Sequence, residues 1–169
     1  MYIYVVSFES IEKRLLFAVA KNIKETFGLE VRVSSVASPF KYAYDPQRKQ
    51  YRAEKVVEYL STLNYPGLVK IMALLSSDMY AQDVHFVLGF ARKREAVVST
   101  FRLLSPNERL FFERVFKKVN QKLGHTFGLK HCQNQGCVMN VSLSIDTKNK
   151  HFCHQCKKEL ETALSQLAF

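Results

Sequence analysis

Four cysteines, Cys132, Cys137, Cys153 and Cys156, and two histidines, His125 and His131, lie close together in the last third of a 169-residue chain. Thiolates and neutral imidazoles are the donors that zinc selects, and two close cysteine pairs suit a closed tetrahedral site. The four cysteines are the only ones in the sequence. They could form two disulfides, but the opening Met1-Tyr2-Ile3-Tyr4-Val5-Val6 has neither a basic lead nor a small-residue cleavage site. Reduced thiolates on a metal are therefore expected, in a cytoplasmic protein. A second set, Gln121, His125 and His131, is spaced so that a helix and a turn could bring it to one point.

That convergence requires a long helix. Ser105-Pro106-Asn107-Glu108 predicts its start, with Ser105 as N-cap, Pro106 in the first turn and Glu108 as capping-box partner. Phe112, Val115, Phe116, Val119 and Leu123 recur at helical spacing as its apolar stripe. Gln121 and His125 are one turn apart and face away from the Val119 side. Gly128 ends the helix and allows a sharp turn that returns His131 toward them.

The rest of the chain reads as a layered α/β scaffold. Residues 1–8 are apolar on both alternating faces, as in a central strand. Ile11, Leu15, Val19, Ile23 and Phe27 predict a helix capped by Gly28. A strand is expected over 29–33 and a loop over 39–50. A helix should begin near Tyr51 and close before Asn64-Tyr65-Pro66-Gly67, followed by a buried strand over 68–75. Two β-segments, 85–91 and 96–103, flank the basic turn Arg92-Lys93-Arg94-Glu95 as a hairpin, with His85 on the first. His154, between two cysteines, reads as a surface residue.

Composition bounds the function. With 47% hydrophobic and 12% aromatic residues, the sequence is that of a compact domain with a real core. No apolar run approaches the roughly 20 residues needed to span a bilayer. The net charge is +10, and between Arg92 and Lys158 there are 14 basic residues against four acids. Such an excess could attract nucleic acid, but it is scattered rather than blocked, as on a solvated surface.

His125-x-x-Gly128-x-x-His131-Cys132, Cys137, Met139 and the Cys153-x-x-Cys156 pair resemble the archaemetzincin family of zinc metallopeptidases. Ser77-Asp78-Met79-Tyr80, Phe86-Val87-Leu88-Gly89 and Ala96-Val97-Val98-Ser99 extend the resemblance over essentially the whole chain. It implies a zincin-like α/β (α+β) fold: a mixed twisted sheet with a backing helix and an active-site helix, plus a small zinc-stabilised C-terminal subdomain. The single domain would divide into 1–128, with the sheet and motif helix, and 129–169, with the zinc. The family assigns Cys132, Cys137, Cys153 and Cys156 to a structural zinc and Met139 to the floor of a Met-turn.

The family opens its catalytic motif with His-Glu, and this chain has Gln121 and Lys122 there. A glutamine oxygen is a weaker zinc donor than imidazole. Zinc-assisted hydrolysis needs a base for the water's proton, and a protonated lysine cannot accept one. The expectation is thus an archaemetzincin-like protein with one structural zinc, a doubtful second zinc at Gln121, His125 and His131, and a degenerate catalytic site that binds a peptide or protein. The alternatives are an active zinc peptidase with a Gln/His/His site and a nucleic-acid-binding module.

Overall fold

The computed structural model describes residues 1–8, 10–36, 41–141 and 144–168. Strand β1 (Tyr2–Ser7) is followed by helix α1 (Lys13–Phe27) and strand β2 (Glu30–Ser35). Leu15, Val19, Ile23 and Phe27 are the buried stripe of α1, and Gly28 caps it at φ +71, its N–H bonded to the Lys24 carbonyl. The expected loop over 39–50 begins outside the described residues at Pro39 and Phe40. Its remainder forms two short strands, β3 (Tyr44–Asp45) and β4 (Gln50–Arg52), which lead into helix α2 (Ala53–Ser61).

Strand β5 (Leu68–Leu75) lies at the centre of the main sheet, and β6 (Asp78–Tyr80) joins β3 and β4 in a small second sheet. A hairpin follows, β7 (Gly89–Arg92) and β8 (Glu95–Ser99), its turn at Lys93 with φ +56. The main sheet runs in the order β2-β1-β5-β8-β7. Its strands are parallel except β7, which is antiparallel to β8 and closes the edge.

The period of two in a strand divides this sheet's side chains between two cores. Ile3, Val5, Met72, Leu74, Ala96 and Val98 share one core with α1 and the long helix α3 (Glu108–Thr126). Tyr4, Val6, Ile71, Ala73, Leu75 and Val97 share the other with α2. Each fully buried aliphatic side chain contributes roughly 1.5–3 kcal/mol, so both faces hold the sheet in place. The mixed α/β fold anticipated from the sequence is the fold observed.

The differences are local. Residues 85–88 leave the strand geometry: Asp83 has φ +63, Val84 bridges back to Ala81, and His85 lies exposed in the resulting loop. Strand β8 stops at Ser99, where a 3-10 turn over Phe101–Leu103 begins. Asn107, not Ser105, caps α3, because its side chain accepts the Leu110 N–H; Ser105 accepts the Asn107 N–H one step earlier. A fourth helix, α4 (His154–Ser165), was not anticipated; it starts inside the Cys-x-x-Cys pair.

Candidate metal centre and the cleft beside it

Helix α3 ends at Thr126, and Gly128 at φ +93 reverses the chain. A conformation with φ this positive suits glycine because it has no Cβ. Leu129 N–H returns to the Gly124 carbonyl, and Lys70 reaches from β5 to donate to the Thr126 carbonyl at 2.6 Å. Cys132 follows at once, and its N–H bonds to the Met139 carbonyl. Cys137 stands in the same turn, while α4 supplies Cys156 from its first turn and Cys153 as its N-cap.

These elements bring the four Sγ atoms within 4.8 Å of one another. No disulfide joins them, and the Cys132 and Cys153 sulfurs are 3.7 Å apart. Backbone N–H groups already point at the sulfurs, Cys153 N–H at Cys137 and Asn134 N–H at Cys132. The Cys156 N–H lowers the Cys153 thiol to about 7, whereas burial raises Cys137 and Cys156. Four sulfurs crowded this closely, two pushed toward the neutral thiol by burial, are the donor set that a dication turns into thiolates. The cluster fits a tetrahedral zinc.

Met139 is fully buried directly beneath α3. Its Sδ lies 2.8 Å from the point where a Cβ on Gly124 would stand, so only glycine permits the contact. Lys148, also buried, donates to the Val138 and Asn140 carbonyls at 3.0 Å and ties down the turn on both sides of Met139. Burial lowers the Lys148 ammonium to about 8.

The histidine pair adjoins the glycine turn, and His131 lines one cavity together with Gly128, Cys132, Cys153 and Cys156. The rings of His125 and His131 meet edge to face with centroids 5.0 Å apart. His125 Nδ1 is 2.9 Å from the Leu129 carbonyl oxygen, which can only accept. The proton therefore sits on Nδ1, and Nε2 keeps its lone pair. Burial lowers the His125 pKa against the opposing Leu129 bond, and the charges of Lys122, His131 and Lys118 lower it further.

Gln121 is buried and does not face solvent, and its Oε1 accepts from the Lys118 ammonium at 2.9 Å. Burial lowers Lys118 to about 7, with Lys122 and Lys148 adding to the effect. Burial also lowers Lys122. Its stem lies along β7, with Cγ 3.0 Å and Cε 3.1 Å from the point where a Cβ on Gly89 would stand. Sequence reasoning singled out Lys122 but missed Lys118 and Lys148. Lys118 was within reach, because positions 118, 121, 122 and 125 form one face of a helix. Lys148 carried no such signal, since the fold alone returns it to the turn.

A mixed sheet with one antiparallel edge, a long helix bearing His125 and a four-cysteine cluster at its end define the architecture of a zinc-peptidase domain. The model of peptidase family M54 matches residues 6–162. An archaemetzincin of Methanopyrus kandleri is 38% identical over 152 residues, covering 86% of each chain. The crystal structure of an archaemetzincin from that organism superposes with a TM-score of 0.87 at 35% identity, covering 98% of this chain and 96% of its own. That of the Archaeoglobus fulgidus archaemetzincin, complexed with malonate, gives 0.83 at 31% identity, with 94% and 99% covered. This chain belongs to peptidase family M54, the archaemetzincins. Zinc is the cofactor of that family, and the four cysteines form a site able to take it.

Proposed function

We propose that this chain is an archaemetzincin that keeps the structural zinc and has given up hydrolysis, leaving a cleft that binds a peptide without cutting it. Cys132, Cys137, Cys153 and Cys156 hold the zinc, which ties segment 129–169 to the end of α3 and contributes to its folding. Met139 is the floor of the Met-turn. The reading rests above all on the Lys118–Gln121 hydrogen bond, which occupies the glutamine oxygen that would have to serve as the third ligand.

Two imidazoles remain for a second metal, and Lys118 and Lys122 put positive charge beside them. A dication held by two neutral donors among cations is bound weakly. Lys122 takes the place of the general base. The zinc analysis and the hydrolysis assay are decisive together: one zinc per chain and no cleavage of a casein-derived peptide mixture are expected. Two zincs per chain, with cleavage abolished by chelator and restored by zinc, would overturn the proposal.

One observation favours the active alternative. Burial lowers Lys122, and a neutral lysine can take a proton. In that case hydrolysis would rise with pH and vanish in Lys122→Met. Among the described residues no helix is long and apolar enough to cross a membrane. Four close thiols serving as metal ligands suit a reducing compartment, so we place the protein in the cytoplasm.

A further inference from the structure

We propose that the cysteine cluster is also an oxidation site, at which a peroxide joins Cys132 and Cys153 in a disulfide and thereby takes two of the four donors from the zinc. The inference rests on the assignment of the four cysteines to that metal.

The four sulfurs are not equally reachable. Cys137 and Cys156 are 1% and 5% exposed and belong to the core shared by α1 and α3, whereas Cys132 and Cys153 are half-buried and pack against it. Cys132 and Cys153 both line an open cavity of about 790 Å³ at the Gly128 turn, where buried Cys156 forms part of the wall. Cys132 also lines a neighbouring cavity of about 710 Å³. A molecule as small as hydrogen peroxide can therefore approach Cys132 from two directions.

The accessible pair is also placed to react with itself. The Cys132 and Cys153 sulfurs are 3.7 Å apart, close to the edge of a tetrahedron whose metal–sulfur bonds are about 2.3 Å. The spacing thus suits the loaded site, and a disulfide needs the two sulfurs to close to about 2.05 Å. Neither sulfur sits inside a long rigid element. Cys132 follows the Gly128 turn, and Cys153 precedes α4 as its N-cap. An accessible cysteine beside a second that can resolve it is the arrangement found in redox-sensing thiols.

Metal-bound cysteines are thiolates, which is the nucleophilic form. The Cys132 sulfur attacks one oxygen of the peroxide, the O–O bond breaks, and a sulfenic acid forms as hydroxide leaves. The Cys153 thiolate then attacks that sulfur, an S–S bond forms, and the sulfenic oxygen leaves as a second hydroxide. Two electrons have passed from the sulfurs to the peroxide, and two solvent protons turn the hydroxides into water. Cys137 and Cys156 remain, and two donors hold a dication loosely. The new bond keeps the start of α4 tethered to the turn, so the four sulfurs reassemble once a thiol reduces it.

The test treats the zinc-loaded full chain with hydrogen peroxide beside a colorimetric zinc chelator, then alkylates the free thiols for peptide mass spectrometry. One zinc per chain should be released, with Cys132 joined to Cys153 and with Cys137 and Cys156 alkylated. Dithiothreitol followed by zinc should restore one zinc per chain. Cys153→His leaves three thiolates and an imidazole, a donor set that structural zinc also uses, but removes the resolving thiol. The sulfenic acid at Cys132 should then persist and be labelled by dimedone.

Zinc retained under peroxide, a crosslink between other cysteines, or oxidation to sulfinic acid without a crosslink would overturn the proposal. If Cys153→His takes no zinc, the crosslink in the unaltered chain decides. An untreated chain without zinc would instead remove the assignment on which the inference rests.

Discussion

The four-cysteine cluster and the nearby histidine pair set metal-type side chains in different electrostatic settings. Around the cysteines, N–H groups of Cys153 and Asn134 point at sulfur, and α4 begins with its N-terminal N–H groups at Cys153. These dipoles favour negative charge. Around His125 the neighbouring charges are Lys122, His131 and Lys118. Donor atoms alone therefore do not make a metal site; the charge around them bears on whether a dication is welcome. On one side the surroundings assist thiolates; on the other, two lysines adjoin the histidine pair, which the proposed function reads as unfavourable to a second metal ion.

That contrast can be broken most directly at the cysteines. Cys156→Ser should remove the zinc and unfold the segment around α4. The scale is set by the order of 10 kcal/mol that a structural zinc contributes in small metal-folded domains. Zinc content and thermal unfolding report it, and an unchanged zinc content would refute the assignment of Cys156 as a ligand.

A smaller effect tests the wall shared by the two regions. Gly124→Ala would place a methyl 2.8 Å from the Met139 sulfur, and overpacking of this kind costs about 1–3 kcal/mol. Calorimetry should show the loss with zinc content intact. A neutral outcome would mean that Met139 can shift, and that the two regions are less rigidly joined than the contact implies.

Acid titration sharpens the comparison once a third contribution is subtracted. Burial opposes ionisation of Asp78, but hydrogen bonds from Arg102 and Gln50 outweigh it and hold its pKa below the usual carboxylate value. The stabilisation it supplies is complete above the unfolded value near 4 and disappears as the pH falls through the lower folded value. Asp78→Asn should flatten that part of the stability profile, measured by denaturant unfolding between about pH 2 and 5. Acid loss that persists in this variant comes from the remaining groups, Asp146 beside Arg114 and the thiolates among them, and a profile unchanged by the substitution would show that Asp78 is not the source.

The smallest effect is expected at the exposed histidine. His131→Ala should leave zinc content unchanged and alter stability by no more than about 0.5 kcal/mol, as for an ordinary surface position. A fall in zinc content would show that the histidine pair holds metal, and the contrast between the two sides would fail.

The fold was legible because its elements carry strong local patterns. Residues 68–75 are apolar except for Lys70 and lie at the centre of the sheet, and the four-residue spacing of α1 survives from Leu15 to Phe27. The shortfalls occurred where neighbours overrule local preference. Ser105 has the features of a cap, yet Asn107 two residues on accepts the helical N–H. The segment from His85 looks like a strand but is taken up by the turn at Asp83, and β3 and β4 are too short to leave a pattern.

Sequence by itself determined the family, the sheet and its covering helices, and the set of four cysteines, because residue type, period and spacing encode each of them. Only the tertiary structure decided what surrounds the donor atoms. It set Lys118 on Gln121, folded Lys148 back beneath Met139 and stretched Lys122 along Gly89. Electrostatic character is a sum over neighbours in space. In this chain the neighbours that matter come from the sheet edge, the long helix and the segment after the turn.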